Sequence, residues 1–315
     1  MITNMVEQRR FTVNILRRPL GSTRSALSVL TLAAITVLGG SLATPTSARA
    51  TTDPHVPNPT LCASTIHATY SHVVWIVLEN VGYSVVGSSS APYLNSLADK
   101  CGLATNDDAI SHPSLPNYIA LTSGATQGIA DDNEPSSHRL NVPSIFSQLQ
   151  SNWRAYAESM PAPCDKVTSG QYAARHNPAV YYTNLPSCVH NDVALTTPLN
   201  LSAAFTMITP NICNDMHSCP VSTGDAWLKT FVPQILASRQ YQTKSLALFI
   251  TFDENDQAAS NHVPTIVIAP SVPAGLRVAA PLTHYSLLKT TEALLHLPFL
   301  GGARSASSML TSFHL

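Results

Sequence analysis

Two unbroken apolar runs limit the folds open to this chain: HVVWIVL at 72–78 and SLALFITF at 245–252. Neither alternates with polar residues, so neither suits a strand with one wet face, and both are too short to cross a bilayer. They read as strands buried on both faces, the condition of a parallel sheet covered by helices, and so as an α/β fold. Each run ends abruptly in acids and amides, Glu79 and Asn80 after the first, Asp253, Glu254, Asn255 and Asp256 after the second. Open parallel sheets bind ligands beyond the carboxyl ends of their strands. Glu79, Asn80, Asp253 and Glu254 are therefore expected at one sheet edge, where three packed carboxylates repel one another unless a divalent cation neutralises them. Taken singly, either acidic end could also be no more than a strand meeting solvent.

A third segment, HPSLPNY at 112–118, has the complementary character. Ser114 precedes what reads as a helix start, with Pro116 at the first helical position and YIALTSG continuing a helix-compatible pattern. Unpaired N–H groups and the positive end of the helix dipole would then face whatever Ser114 touches, as a phosphoryl group requires. A serine at this place can also serve simply as the helix cap.

The order of several short motifs adds a resemblance. LEN (78–80), SSSAPYLNSLA (88–98), SHPSLPNYIALTSG (111–124), RHNP (175–178), PNICNDMHSCPVSTGDAWL (210–228), TFDEND (251–256), NHVPTIVIAP (261–270) and THYSLLKTTE (283–292) follow one another as in the secreted phosphoesterases that include bacterial acid phosphatases and phospholipases C. The pattern is most similar to the small secreted acid phosphatases of actinobacteria, some of which act on phosphoinositides. The resemblance implies a mostly parallel central sheet flanked by helices, alkaline-phosphatase-like. It also singles out His112, His176, His217 and His284 among the twelve histidines. His217 and His176 are the expected phosphate contacts, His217 also the general acid. His284 is expected either to act with them or to orient the Asp253 strand end, and His112 to shape its turn. Asp215 is placed to orient His217, Asp225 reads as a cap for its own helix ahead of a catalytic role, and Arg175 reads as a solvated or carboxylate-paired residue ahead of a further phosphate contact. Asp107 and Asp108 stand where many relatives have a Tyr and a His, so no phosphate-binding histidine is carried over there.

Composition points to export. Residues 1–50 hold six Arg and one acid, the apolar run ALSVLTLAAITVLGG and the small-residue site Ala48-Arg49-Ala50, which together read as a cleavable signal peptide rather than an anchor. The remaining residues, 51–315, are expected to form a single phosphoesterase domain with 11 Lys plus Arg against 17 Asp plus Glu, a formal net charge of −6. That balance argues against nucleic acid or anionic membrane as a docking partner. All six cysteines lie in this part, and three disulfides are expected in an exported chain. Pairing between sequence neighbours is preferred: Cys62 with Cys101, Cys164 with Cys188, Cys213 with Cys219. Residues 160–222 show little periodicity and read as a long loop framing the mouth of the site.

The expected activity is that of a secreted acid phosphatase acting on small-molecule or lipid-headgroup phosphoesters through a phosphoserine on Ser114. One divalent cation held by Glu79, Asn80, Asp253 and Glu254, and touching Ser114, would lower the hydroxyl's pKa. Oxygen-rich ligation favours Mg, Ca or Mn over Zn. The rival activity is a phospholipase C-type phosphodiesterase; those relatives tend to be longer. The rival of another class is a catalytically silent metal-binding module, which has no chemical need of Ser114.

Overall fold

The computed structural model describes residues 61–63, 68–256 and 260–315; the expected signal peptide lies outside them. Nine strands form one sheet: β1 (His72–Leu78), β2 (Gly102–Asp108), β3 (Trp153–Ala157), β4 (Asp192–Ala194), β5 (Phe205–Thr209), β6 (Leu246–Phe252), β7 (His262–Ile268), β8 (Leu276–Val278) and β9 (Leu282–Thr283). Their order is β4-β3-β5-β1-β6-β7-β2-β8, with β9 also paired to β2. Only β7 runs against its neighbours, β6 and β2. The sheet is thus mixed and mostly parallel, and the α/β expectation is met.

The two apolar runs became the central strands β1 and β6, every residue of β6 being buried. They pair in parallel from His72 with Leu246 to Leu78 with Phe252. That register makes Glu79 and Asp253 leave the sheet side by side, held by a hydrogen bond from Asp253 N–H to the Leu78 carbonyl, 2.9 Å. On its other flank β1 pairs with β5. The chain beyond β5 then returns so that the Asp215 carbonyl accepts the Glu79 N–H at 2.9 Å.

Eight α-helices complete the described residues: α1 (Pro92–Lys100), α2 (Ser114–Ser123), α3 (Ile145–Leu149), α4 (Cys188–Asn191), α5 (Val221–Leu236), α6 (Arg239–Gln242), α7 (His284–Leu294) and α8 (Leu310–Phe313). None of them is long and apolar enough to cross a membrane. The helix expected from YIALTSG starts earlier than anticipated. Ser114 is its first residue after the Pro113 cap, and Pro116 stands third. Proline is tolerated there because the N–H it lacks would have had no intrahelical acceptor.

Asp225 does not cap its own helix. It lies inside α5 and its carboxylate accepts the N–H groups of Tyr93 at 3.1 Å and Leu94 at 2.8 Å. The first turn of α1 opens on Ala91 and Pro92 with no side-chain cap of its own, so a carboxylate from a neighbouring helix satisfies its amides. The expected disulfides all form, Cys62–Cys101, Cys164–Cys188 and Cys213–Cys219. The 160–222 segment is not wholly loop, because FTMIT within it forms the fully buried strand β5.

Candidate active site

Ser114 sits at the first turn of α2 with 2 % of its surface exposed. Its hydroxyl donates to Glu79 Oε2 at 3.0 Å rather than capping the helix. The same hydroxyl lies close enough to Asp253 and Glu254 to favour their charged forms. Three elements therefore converge on one oxygen: the end of β1, the end of β6 and the start of α2.

Helical spacing recruits two residues that sequence reasoning passed over. Asn117 and Tyr118 follow Ser114 by three and four positions, one turn along the same face. Tyr118 donates its hydroxyl to Glu79 Oε1 at 2.6 Å. Asn117 donates to Glu254 Oε2 at 3.3 Å and, through Oδ1, accepts the N–H groups of Ile110 and Ser111, which pins the turn ahead of the nucleophile. His112 in that turn places Nδ1 2.8 Å from Glu254 Oε2, so it engages the carboxylate as well as the turn.

Electrostatics tie the acids together. Burial, then the charges of Asp253 and Asp215, push Glu79 well above the ordinary carboxylate range. Burial pushes Asp253 up to about 7 against the relief given by the Asn80 N–H, which it accepts at 3.1 Å. Glu254 rises to about 8 through burial and the neighbouring Asp253. The other Asp253 oxygen, Oδ2, is buried and receives no hydrogen bond. A buried, unpaired oxygen among mutually repelling carboxylates is what a divalent cation would satisfy, so Glu79, Asp253 and Glu254 fit such an ion. Asn80, at φ +52°, turns the chain beside them.

The histidines divide into two groups. His176 is buried between two carboxylates, Nε2 3.3 Å from Glu79 Oε1 and Nδ1 3.2 Å from Asp215 Oδ2, and stacks on Tyr118. His217 is half-buried beside it, held by its N–H to Asp215 Oδ1 at 2.8 Å, with Nε2 3.2 Å from Arg175 Nη2. Asp215 thus holds the His176 ring and the His217 backbone, while Arg175 and the Ser218 hydroxyl meet the His217 ring, and burial raises the Asp215 pKa to about 8. Burial, then Arg175, lowers both imidazoles, His176 well below its usual value. His284 stands apart from this pair. Its Nε2–H donates to the Asp253 backbone carbonyl at 2.6 Å and burial drops it to about 4, so it anchors the strand end.

Glu79, His176 and His217 also bring one donor atom each within 4.8 Å of one another. The all-oxygen ligand set read from the sequence therefore has two imidazoles at its edge. Cys164, Cys188 and Asp192 cluster similarly, but the two cysteines are spent on a disulfide.

One more side chain lies over the site unanticipated. Asp132 Oδ1 accepts the N–H of Leu115, next to Ser114, at 2.9 Å, and its Oδ2 is 3.7 Å from Arg175 Nε. A carboxylate held by a helix N-terminal amide and a guanidinium marks the place where an anion is welcome.

The chain is 32% identical over 302 residues to a phosphatidylinositol-3-phosphatase of Mycobacterium tuberculosis, covering 93% of this chain and 96% of that one. It is 29% identical to a phosphate-repressible acid phosphatase of Penicillium chrysogenum, covering 81% of this chain but only 65% of that longer protein. A solved structure from the alkaline phosphatase superfamily of Vibrio parahaemolyticus superposes with a TM-score of 0.52 at 11% identity, covering 81% of this chain and 76% of that one, which speaks to the fold alone. Residues 84–298 match the Phosphoesterase family. The chain belongs to that family and is a hydrolase of phosphoric ester bonds.

Proposed function

We propose that the chain is an exported acid phosphatase that hydrolyses phosphomonoesters through a phosphoserine on Ser114. In this reading residues 1–50 are a signal peptide and residues 51–315 one phosphoesterase domain. The observation that carries the proposal is the Ser114 hydroxyl at a helix start, 3.0 Å from Glu79 and amid Asp253 and Glu254. Glu79, Asn80, Asp253 and Glu254 would hold one divalent cation, Mg, Ca or Mn in preference to Zn, which supplies positive charge beside the hydroxyl and the phosphoryl oxygens.

The remaining work falls to the chain's own groups. Ser114 Oγ attacks phosphorus in line as the P–O bond to the alcohol breaks, and its proton passes to a neighbouring acceptor. Glu79 Oε2, already its hydrogen-bond partner, is the nearest. The Leu115 N–H and Arg175, now engaged by Asp132, bind equatorial oxygens once the substrate displaces that carboxylate. His217, on the exposed side of the cluster, protonates the departing alcohol oxygen. Water then cleaves the phosphoserine, releasing phosphate and returning the proton to Ser114. His176, fixed by Glu79 and Asp215, orients the group, and His284 holds the β6 end in place.

The name of the mycobacterial relative makes a phosphoinositide monoester the first substrate to assay, with simple monoesters and one phosphodiester beside it. Acid quenching during turnover should trap a phosphoryl adduct on the peptide containing Ser114. Ser114→Ala should lose the adduct and turnover together while keeping metal content. Turnover by that variant, or an adduct elsewhere, would refute the assignment.

A further inference from the structure

We infer that a cavity beside the candidate active site is a subsite for an anionic group on the leaving alcohol, so that preferred substrates are phosphomonoesters bearing a second negative charge. The inference rests on the phosphatase reading above.

The cavity has a volume of about 290 Å³ and is lined in part by Glu134, Arg139, Lys166, Val180, Tyr181 and Thr183. Val180 and Tyr181 give it an apolar wall suited to a carbon ring. Arg139 and Lys166 bring two cations whose side chains make no hydrogen bond or ion pair among the described residues. Glu134 is tied by Oε1 to the Thr168 N–H at 3.3 Å, while Oε2 is buried and receives no hydrogen bond. The set suits a hydroxylated, anionic organic group: cations for its charge, a buried acceptor for a hydroxyl, an apolar face for its carbons.

A short wall separates this cavity from the nucleophile, and each of its residues is fastened. Asp132 takes the Leu115 N–H, the Asn133 carbonyl accepts the Tyr181 hydroxyl at 2.9 Å, and Glu134 takes the Thr168 N–H. Asp132 stands on the Ser114 side and Glu134 on the cavity side, and the ties of Asn133 and Glu134 do not depend on the Asp132 carboxylate that substrate displaces. Two residues span at most about 7 Å, so the cavity begins roughly one sugar ring from the groups that would hold the transferred phosphoryl. The residues lining the cavity carry two cations against one acid, a net positive charge in a chain that is acidic overall.

Glucose 1,6-bisphosphate and glucose 6-phosphate provide the test, with the wild-type protein and an Arg139→Ala/Lys166→Ala double variant. The expected kcat/KM ratio is about 10 in favour of the bisphosphate, above the factor of about 2 that two phosphates give by number, and it should fall to about 2 in the double variant through KM. A ratio near 2 in the wild type, a ratio that survives the double substitution, or equal losses on both esters overturns the subsite. Hydrolysis of neither ester, with a phosphoinositide monoester and an aryl phosphate also untouched, would sink the phosphatase reading instead. In that event calorimetric titration into Ser114→Ala protein decides the subsite. Bisphosphate binding about 10-fold tighter than monophosphate, lost when Arg139 and Lys166 are also removed, upholds it, and equal affinities overturn it.

Discussion

Without the proposed cation, stability should fall as pH rises, and Asp253 shows how far. Its carboxyl titrates at about 7 in the folded chain, raised chiefly by burial, against an ordinary value of 3.8. Below about pH 4 it is protonated in both folded and unfolded chains and costs nothing. Between about 4 and 7 the unfolded chain gives up this proton while the folded one retains it, so stability drops by about 1.4 kcal/mol per pH unit and then levels off. The change from this residue alone is on the order of 4 kcal/mol, equivalent to roughly 10 °C in Tm for a domain of this size. Glu79 and Glu254 are raised in the same direction and add to it. A divalent cation reverses the sign by favouring the charged carboxylates. Calorimetric scans with chelator and with saturating Mg, Ca or Mn should therefore show a Tm gap that widens from pH 4.5 to 7.5. Asp253→Asn should raise the Tm of chelated protein at pH 7 and abolish the gain from metal. A gap that is flat or narrows with pH would refute the assignment of these carboxylates to a cation.

Two further predictions concern single residues. His217→Asn should cost about 2 to 4 orders of magnitude in kcat/KM on an alkyl phosphate and far less on an activated aryl phosphate, since only the former needs a proton on leaving. Because burial and Arg175 lower the His217 pKa, the alkaline fall of wild-type kcat/KM should begin below pH 6.5 and flatten in the variant; equal losses on both substrates would exclude His217 as general acid. Asp225→Ala leaves the Tyr93 and Leu94 amides without their carboxylate and should destabilise the protein by about 2 kcal/mol in denaturant titration, with little effect on KM.

What the sequence determined by itself was carried by local patterns. Apolar runs of seven and eight residues ending in acids have few places to go other than the middle of a covered sheet, so β1, β6 and the Glu79 and Asp253 ends were legible without coordinates. Cysteine neighbours also paired as expected, but over separations of 39, 24 and 6 residues, so a short loop explains only Cys213–Cys219. Tyr118 and Asn117 were within reach of the same reasoning, being one helical turn beyond Ser114. Other features were not. GLATNDD carries no strand signal, yet β2 pairs with β7, β8 and β9, and its Asp107 is buried against the Thr265 hydroxyl at 2.6 Å. FTMIT is too short for its period to stand out, and becomes a strand because β1 and β3 both offer it an edge. Asp225 reads locally as a cap for its own helix, but the unsatisfied amides that claim it belong to α1, 131 residues away in sequence at Leu94. Asp132 at the Leu115 amide and His176 between Glu79 and Asp215 are likewise meetings of distant segments. Periodicity reports which face of an element is buried. Which buried donor finds which acceptor is decided by chain segments that share no sequence neighbourhood, and only the packed tertiary structure brings them within hydrogen-bonding distance.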